Sequence, residues 1–272
     1  MTPSLLILTD FFQAADRALD YATNLAGPLG ARLVLLHVRR DALTDPDLFT
    51  GGLSNLNSEA IALALSSITS NLPVPVVAEV GHGRVAYAVA DAVSRHQPTL
   101  VVLGRPDTEA TPDELVSTTA LDILRTAPYP MLVVPHNVPF THPPRRVLLA
   151  VDGEEFSLGQ HAGAMRHLLD ALHAELTVVH VTAAPAPDAD GALQSVQRTG
   201  LTTDLVPPIR SRSVVAPAPA DGILQVARPA DFDLVVLIAR PRSFLGELFH
   251  HSVTAQVLLH SAVPVLVLPA AE

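Results

Sequence analysis

The chain has 272 residues, enough for two domains of about 135 residues, each able to bury its own core. Its 17 basic residues are all arginine, and lysine and cysteine are both absent; this excludes a P-loop lysine, Schiff-base and pyridoxal phosphate chemistry, thiol nucleophiles, iron–sulfur ligation and disulfides. A formal net charge of −10 repels polyanions and argues against broad nucleic-acid binding, and no apolar run reaches the roughly 18 to 20 residues of a membrane span.

In chain order, the short apolar run Leu5–Thr9, bounded by Asp10, predicts a buried strand. No basic segment precedes it, so the N-terminus does not read as a secretory signal, and a cytoplasmic protein is expected. Apolar residues at helical spacing (Ala18, Tyr21, Ala22, Leu25) predict a helix over Ala14–Leu29, ending near Gly30. A strand at Arg32–Val38, a Gly- and Asp-rich loop at Asp41–Leu56 and a helix at Ser58–Ser70 follow. The third strand is Val74–Val80, the third helix Gly83–His96 and the fourth strand Thr99–Gly104. A loop over Arg105–Pro112 leads to a helix at Asp113–Thr126, and Met131–Val134 closes the half as its last strand. Strands that are apolar throughout and alternate with helices mean a parallel sheet covered on both faces.

The second half then repeats the first. TTALDILRTAPYPMLVVP (Thr118–Pro135) is answered by SVTAQVLLHSAVPVLVLP (Ser252–Pro269), and LVVLG (Leu100–Gly104) by LVVLI (Leu234–Ile238), each 134 residues further on. Upstream, LLILTD (Leu5–Asp10) is answered by VLLAVD (Val147–Asp152) at 142, and LLHV (Leu35–Val38) by VVHV (Val178–Val181) at 143. A repeat of this length marks a duplicated domain, not a solenoid. The stretches Pro185–Ala192 and Arg198–Pro208 read as irregular. HNVPFTHPP (His136–Pro144), with three prolines, reads as a stiff linker between domains 1–139 and 143–272.

The strands ending in Asp, the LLHV and VVHV strands, and the APYPMLVVP and AVPVLVLP endings together resemble the universal stress protein family, one family domain per half. ELFHHSVTAQVLLHSAVPVLVL (Glu247–Leu268) resembles a variant found in tandem members. The resemblance implies α/β architecture with a doubly wound, parallel five-stranded sheet in each domain, Rossmann-like. It also implies a pseudo-twofold axis about which the two final strands pair antiparallel, so that one chain imitates a homodimer.

Nucleotide-binding members of that family carry Gly, two residues, Gly, nine residues, then Gly and Ser or Thr. Glycines let backbone approach phosphate, and the next helix offers free N–H groups and the positive end of its dipole. In register, the first half has Gly104, Asp107, Ser117 and Thr118, so one glycine of three survives with the closing hydroxyl. Asp107, Glu109, Asp113 and Glu114 would crowd a triphosphate, each costing on the order of a kcal/mol unless a divalent metal bridged them. The second half has Ile238, Pro241, His251 and Ser252, with no glycine left, but its loop is cationic through Arg240, Arg242 and His250–His251. Those arginines either hold an anion with the helix that Ser252 opens or line a solvated loop. Asp10 and Asp152 stand where an Asp reaches the adenine side in nucleotide-binding members. The candidate nucleotide or anion site is therefore Asp10, Gly104, Thr118, Asp152, Arg240, Arg242 and Ser252.

Other polar groups read structurally. His37 and His180 are strand-end histidines lacking metal-ligand spacing, Gly81-His82-Gly83 is a turn into a helix, and Ser252 and Thr118 are helix caps. Arg84 is placed to face the ligand crevice beyond the strand ends. No serine sits in a nucleophile-elbow sequence and no catalytic or metal residue is assigned. The chain therefore reads as a tandem universal stress protein, a non-enzymatic stress-response or signalling module with degenerate nucleotide-binding loops and weak or absent ATP binding. The alternative is an adenine-nucleotide sensor or slow ATPase with a nonstandard site in the second domain. No cofactor is expected, ATP being the alternative one. The expected partner is another protein, not nucleic acid or membrane, with an internal pseudo-dimer and further dimerisation left open.

Overall fold

The computed structural model describes residues 2–11, 13–39, 58–106, 119–138, 142–184, 190–203, 205–240 and 252–271. The first half runs β1 (Ser4–Thr9), α1 (Gln13–Leu29), β2 (Arg32–Arg39), α2 (Ser58–Ser70), β3 (Val76–His82), α3 (Val85–His96), β4 (Leu100–Arg105), α4 (Thr119–Thr126) and β5 (Met131–Pro135). The second runs β6 (Arg146–Val151), a 3-10 turn (Gly159–His161), α5 (Ala162–Ala171), β7 (Glu175–Thr182), α6 (Asp190–Arg198), β8 (Arg210–Val215), α7 (Pro219–Val226), β9 (Leu234–Ala239), α8 (Val253–His260) and β10 (Val265–Pro269). The expected loop at Asp41–Leu56 and the expected first part of the fourth helix, before Thr119, lie outside the described residues.

The start of the third strand and the stretch after β7 differ from the sequence reading for local reasons. The third strand starts two residues late because Pro75 has no N–H to donate; its carbonyl accepts Leu33 N at 2.8 Å and the ladder begins at Val76. Asp190–Arg198 is helical where Pro185–Ala192 was expected to be irregular, because Ala192, Ser195 and Val196 recur at helical spacing and bury one face.

All ten strands join one sheet in the order β3-β2-β1-β4-β5-β10-β9-β6-β7-β8. Within each half every pairing is parallel. Only β5 and β10 run antiparallel, with Leu132 opposite Leu266, Met131 opposite Val267 and Val133 opposite Val265. Leu132 and Leu266 are themselves 134 apart, so Leu132 faces its own counterpart while Met131 and Val133 each face the counterpart of the other, the signature of a pseudo-twofold axis through the middle of the pair.

Alternate strand residues sort onto the two faces as the pleat requires. Leu5, Ile7, Leu132 and Leu266 pack beneath α1, α2, α5 and α6, while Leu6, Met131, Val133 and Val265 pack beneath α3, α4, α7 and α8. Each apolar layer is continuous through both halves.

Arg105, at the end of β4, also ties the halves together. Its guanidinium donates to the carbonyls of Leu258 (2.6 Å) and Leu259 (2.8 Å) in the last turn of α8 and of Ser261 (2.7 Å) just beyond it, in the other half. These carbonyls have no intrahelical partner, and a cation there also meets the negative end of the helix dipole. Replacing Arg105 with Ala should therefore cost about 2 kcal/mol of unfolding free energy. Urea denaturation monitored by circular dichroism measures it, and an unchanged midpoint would remove this link from the account.

Candidate functional site

In each half the strand order reverses beside the first strand, between β1 and β4 and again between β6 and β9. Open α/β sheets bind ligands in the crevice beyond the carboxyl ends of the strands at such a reversal. Asp10 and Asp152 follow β1 and β6, and Pro106 and Arg240 follow β4 and β9, so these residues stand at the two crevice mouths.

In the second half the mouth is bridged. Arg240 Nε and a terminal nitrogen donate to the two oxygens of Asp152, both at 2.7 Å, in the fork geometry that suits guanidinium and carboxylate. The same guanidinium donates to the carbonyls of Glu154 and Glu155 at 3.1 Å, and the Asp152 carboxylate accepts Glu154 N at 3.1 Å. Only 15% of the Arg240 side chain is exposed. The Asp152 hydrogen bonds and charge raise its pKa above the usual guanidinium value. Arg240 therefore neither extends into a solvated loop nor points outward to receive an anion; it is consumed by the residue expected to recognise a base.

The first half is built differently. Pro106 occupies the position of Arg240 and carries no charge. Gly104 lies against the start of α1, where a Cβ would come within 2.0 Å of the Ala14 carbonyl oxygen and 2.8 Å of Ala15 N. Its missing side chain is thus required for the first turn of α1 to sit on β4. Ile238 replaces it in the second half, and there the chain between Asp152 and the 3-10 turn is irregular and α5 does not begin until Ala162. One side chain changes how the helix can start.

A further correspondence was missed in the sequence. Phe11 (φ 66°) and Gly153 (φ 82°) follow the two aspartates at equivalent positions, both in the left-handed region. For a phenylalanine that conformation costs about 1–2 kcal/mol. Its ring stacks on His37, with centroids 4.5 Å apart and planes at 28°. In the other half Gly153 lies against His180, whose Cε1 is 3.2 Å from where a Cβ would be. His37 and His180 each place Nδ1 3.0 Å from a first-strand carbonyl, Thr9 and Val151. A carbonyl only accepts, so Nδ1 carries the proton in both. The 142-residue offset that pairs Asp10 with Asp152 also pairs Phe11 with Gly153, and was the available signal.

Ser252 caps α8, its hydroxyl accepting Ala255 N at 3.1 Å. Arg84 lies over the ring of Tyr87 at 6.0 Å. Thr118 and Arg242, with the acidic loop of the first half, lie outside the described residues. Asp152 and Arg240 are thus brought together, while Gly104 is accounted for by packing. Among the described residues, no group of three His, Asp or Glu side chains is placed to hold a metal ion, and no helix is long and apolar enough to cross a membrane.

Comparison with known proteins places these features in a family. The model of the universal stress protein family matches residues 1–135 and again 144–269. A universal stress protein from Archaeoglobus fulgidus DSM 4304 superposes with a TM-score of 0.73 at 15% identity, covering 99% of each chain. A functionally unknown protein from Pseudomonas aeruginosa PAO1 gives 0.64 at 19%, covering 99% of this chain and 93% of its own. The cytoplasmic domain of a prokaryotic cation chloride cotransporter gives 0.57 at 11%, covering 98% and 95%. At such identities these structures share the fold alone. A search of curated proteins finds no match.

Two predictions follow from this geometry. Gly104→Ala should destabilise the chain by about 3 kcal/mol, the upper end for overpacking, because the obstacle is backbone. Thermal unfolding decides this, and a wild-type melting temperature would show that α1 shifts freely. Burial holds His37 below its ordinary 6.5, its bond to Thr9 only partly compensating. A depressed folded pKa contributes stability that is complete above 6.5 and is lost as pH falls through the folded value. His37→Asn should flatten that decline between neutral pH and pH 5, read as urea midpoints across pH; an unchanged slope would exclude His37 as its source.

Proposed function

Because the chain belongs to the universal stress protein family, we propose that it works as a tandem, non-enzymatic stress-response or signalling module, with domains 1–139 and 143–272, whose nucleotide sites have degenerated. The observation that carries this reading is the Asp152–Arg240 fork across the second crevice mouth. A nucleotide entering there would have to break two charge-assisted hydrogen bonds and leave a partly buried guanidinium short of its partner, a substantial cost. In sequence, the two loops also depart from the family's phosphate motif. One glycine of three remains in the first half, none in the second, and no lysine stands anywhere to meet a phosphate.

The candidate set Asp10, Gly104, Thr118, Asp152, Arg240, Arg242 and Ser252 divides accordingly. Asp152 and Arg240 serve as an internal clasp, Gly104 as a packing site and Ser252 as a helix cap. The pairing of β5 with β10 supports a further part of the reading: one chain supplies both halves of an internal dimer. With the crevices closed to adenine nucleotides, the module acts in the cytoplasm through contacts with another protein.

The nucleotide content of the purified chain tests this. Denaturation, chromatography and mass detection should find no stoichiometric adenine nucleotide, and calorimetry should detect no binding of ATP with Mg²⁺ at millimolar concentration. Close to one nucleotide per chain would overturn the proposal. If Asp152→Ala then abolished that nucleotide while Asp10→Ala did not, a nucleotide sensor working from the second domain would replace it.

A further inference from the structure

The duplication supplies an internal comparison at the two outer edges of the sheet. Glu79 on β3 pairs in register with Leu36, and Arg212 on β8 with Val179. Leu36 and Val179 are separated by the same 143 residues as His37 and His180, so Glu79 and Arg212 occupy one structural position with inverted charge.

In the first half that position is a filled carboxylate receptor. Arg95, on the last turn of α3, donates to both oxygens of Glu79 at 2.7 and 3.0 Å, and His96 Nε2 lies 3.0 Å from the same group. The carboxylate is held below its usual pKa, first by the Arg95 hydrogen bond.

In the second half the corresponding space is open. A groove of about 260 Å³ lies between β8 and the end of α7, lined by Arg212, Val214, Gln225, Arg228 and Asp231 among others. Arg228 uses Nε on the Gln225 carbonyl at 3.0 Å, which leaves its terminal nitrogens. Among the described residues neither Arg212 nor Arg228 has a carboxylate within ion-pair distance, although the chain as a whole is strongly acidic. Among the described strands β8 ends the sheet. Arg210, Arg212 and Ser213 on it are exposed.

We propose that this groove and the β8 edge form a docking site for an extended acidic segment of a partner protein. Such a segment adds to the sheet through main-chain hydrogen bonds, and one of its carboxylates enters the groove between Arg212 and Arg228, as Glu79 meets Arg95 in the other half. Strand addition suits the occupant because β8 is the outermost described strand, so an added backbone can extend the sheet while its alternate side chains reach the groove face. The site is independent of the nucleotide crevices, which open at the carboxyl ends of the strands.

The test uses the full chain and a fluorescein-labelled peptide of about eight alternating glutamate and valine residues, read by fluorescence polarisation. Binding should be saturable, and the same peptide with glutamine for glutamate should bind at least tenfold more weakly. Arg212→Glu should weaken the acidic peptide by at least tenfold; Arg212 is exposed, so this variant should keep the wild-type melting temperature. Hydrogen exchange across Arg210–Val215 should slow when the peptide is present. Equal binding of the two peptides, or full binding by Arg212→Glu, overturns the proposal. So does displacement of the peptide by millimolar inorganic phosphate, which would make the groove a small-anion site, or occlusion of β8 by a second copy seen in sedimentation.

Discussion

The antiparallel pairing of β5 with β10 is the constraint on which the other features rest. Each half ends in a short apolar strand, and each of these strands would be an unpaired edge if its domain stood alone. Pairing them removes both edges together and merges two five-stranded sheets into one. It also makes each apolar layer continuous across the axis, so that the cores of the two domains are not separable units of packing. Arg105 reinforces the junction by capping a helix of the opposite domain. Among the described strands, β3 and β8 are left at the two ends of the sheet.

With the halves locked in one frame, their differences can be read residue against residue. Gly104 admits the start of α1 onto β4, and Ile238 at the matching place goes with a late-starting α5. Phe11 accepts a left-handed backbone and lays its ring on His37, where Gly153 reaches the same conformation without strain. Pro106 brings no cation to the first crevice mouth, whereas Arg240 ties the second to Asp152. Glu79 and Arg212 carry opposite charges at one position. Duplication kept the strands and histidines and let the polar groups at the strand ends and sheet edges diverge. Strand interiors are held by packing on both faces, where one methylene is felt, and the rims are not.

Much of the fold was legible in the chain itself. Short apolar runs such as Leu5–Thr9 and Leu234–Ile238, alternating with helices, read as buried strands of a covered parallel sheet, and the offsets of 134 downstream and 142–143 upstream announced the duplication. Burial and period are local properties, so β1, α1 and α2 could be placed almost to the residue. The β3 boundary was missed because one proline decides where a ladder starts, and that depends on which neighbour β3 meets.

The candidate site was legible only as a set of residue types. The sequence by itself determined that one of the three motif glycines remains in the first half and none in the second, that lysine is absent, and that an aspartate follows the first strand of each half. Only the tertiary structure decided that Asp152 and Arg240, 88 positions apart, hold each other, that Gly104 serves a helix, and that Arg105 reaches across to α8. The physical reason is reach: a guanidinium carries its fork several ångströms from its own backbone, so its partner is chosen by the strand order of the sheet and not by its neighbours in the chain.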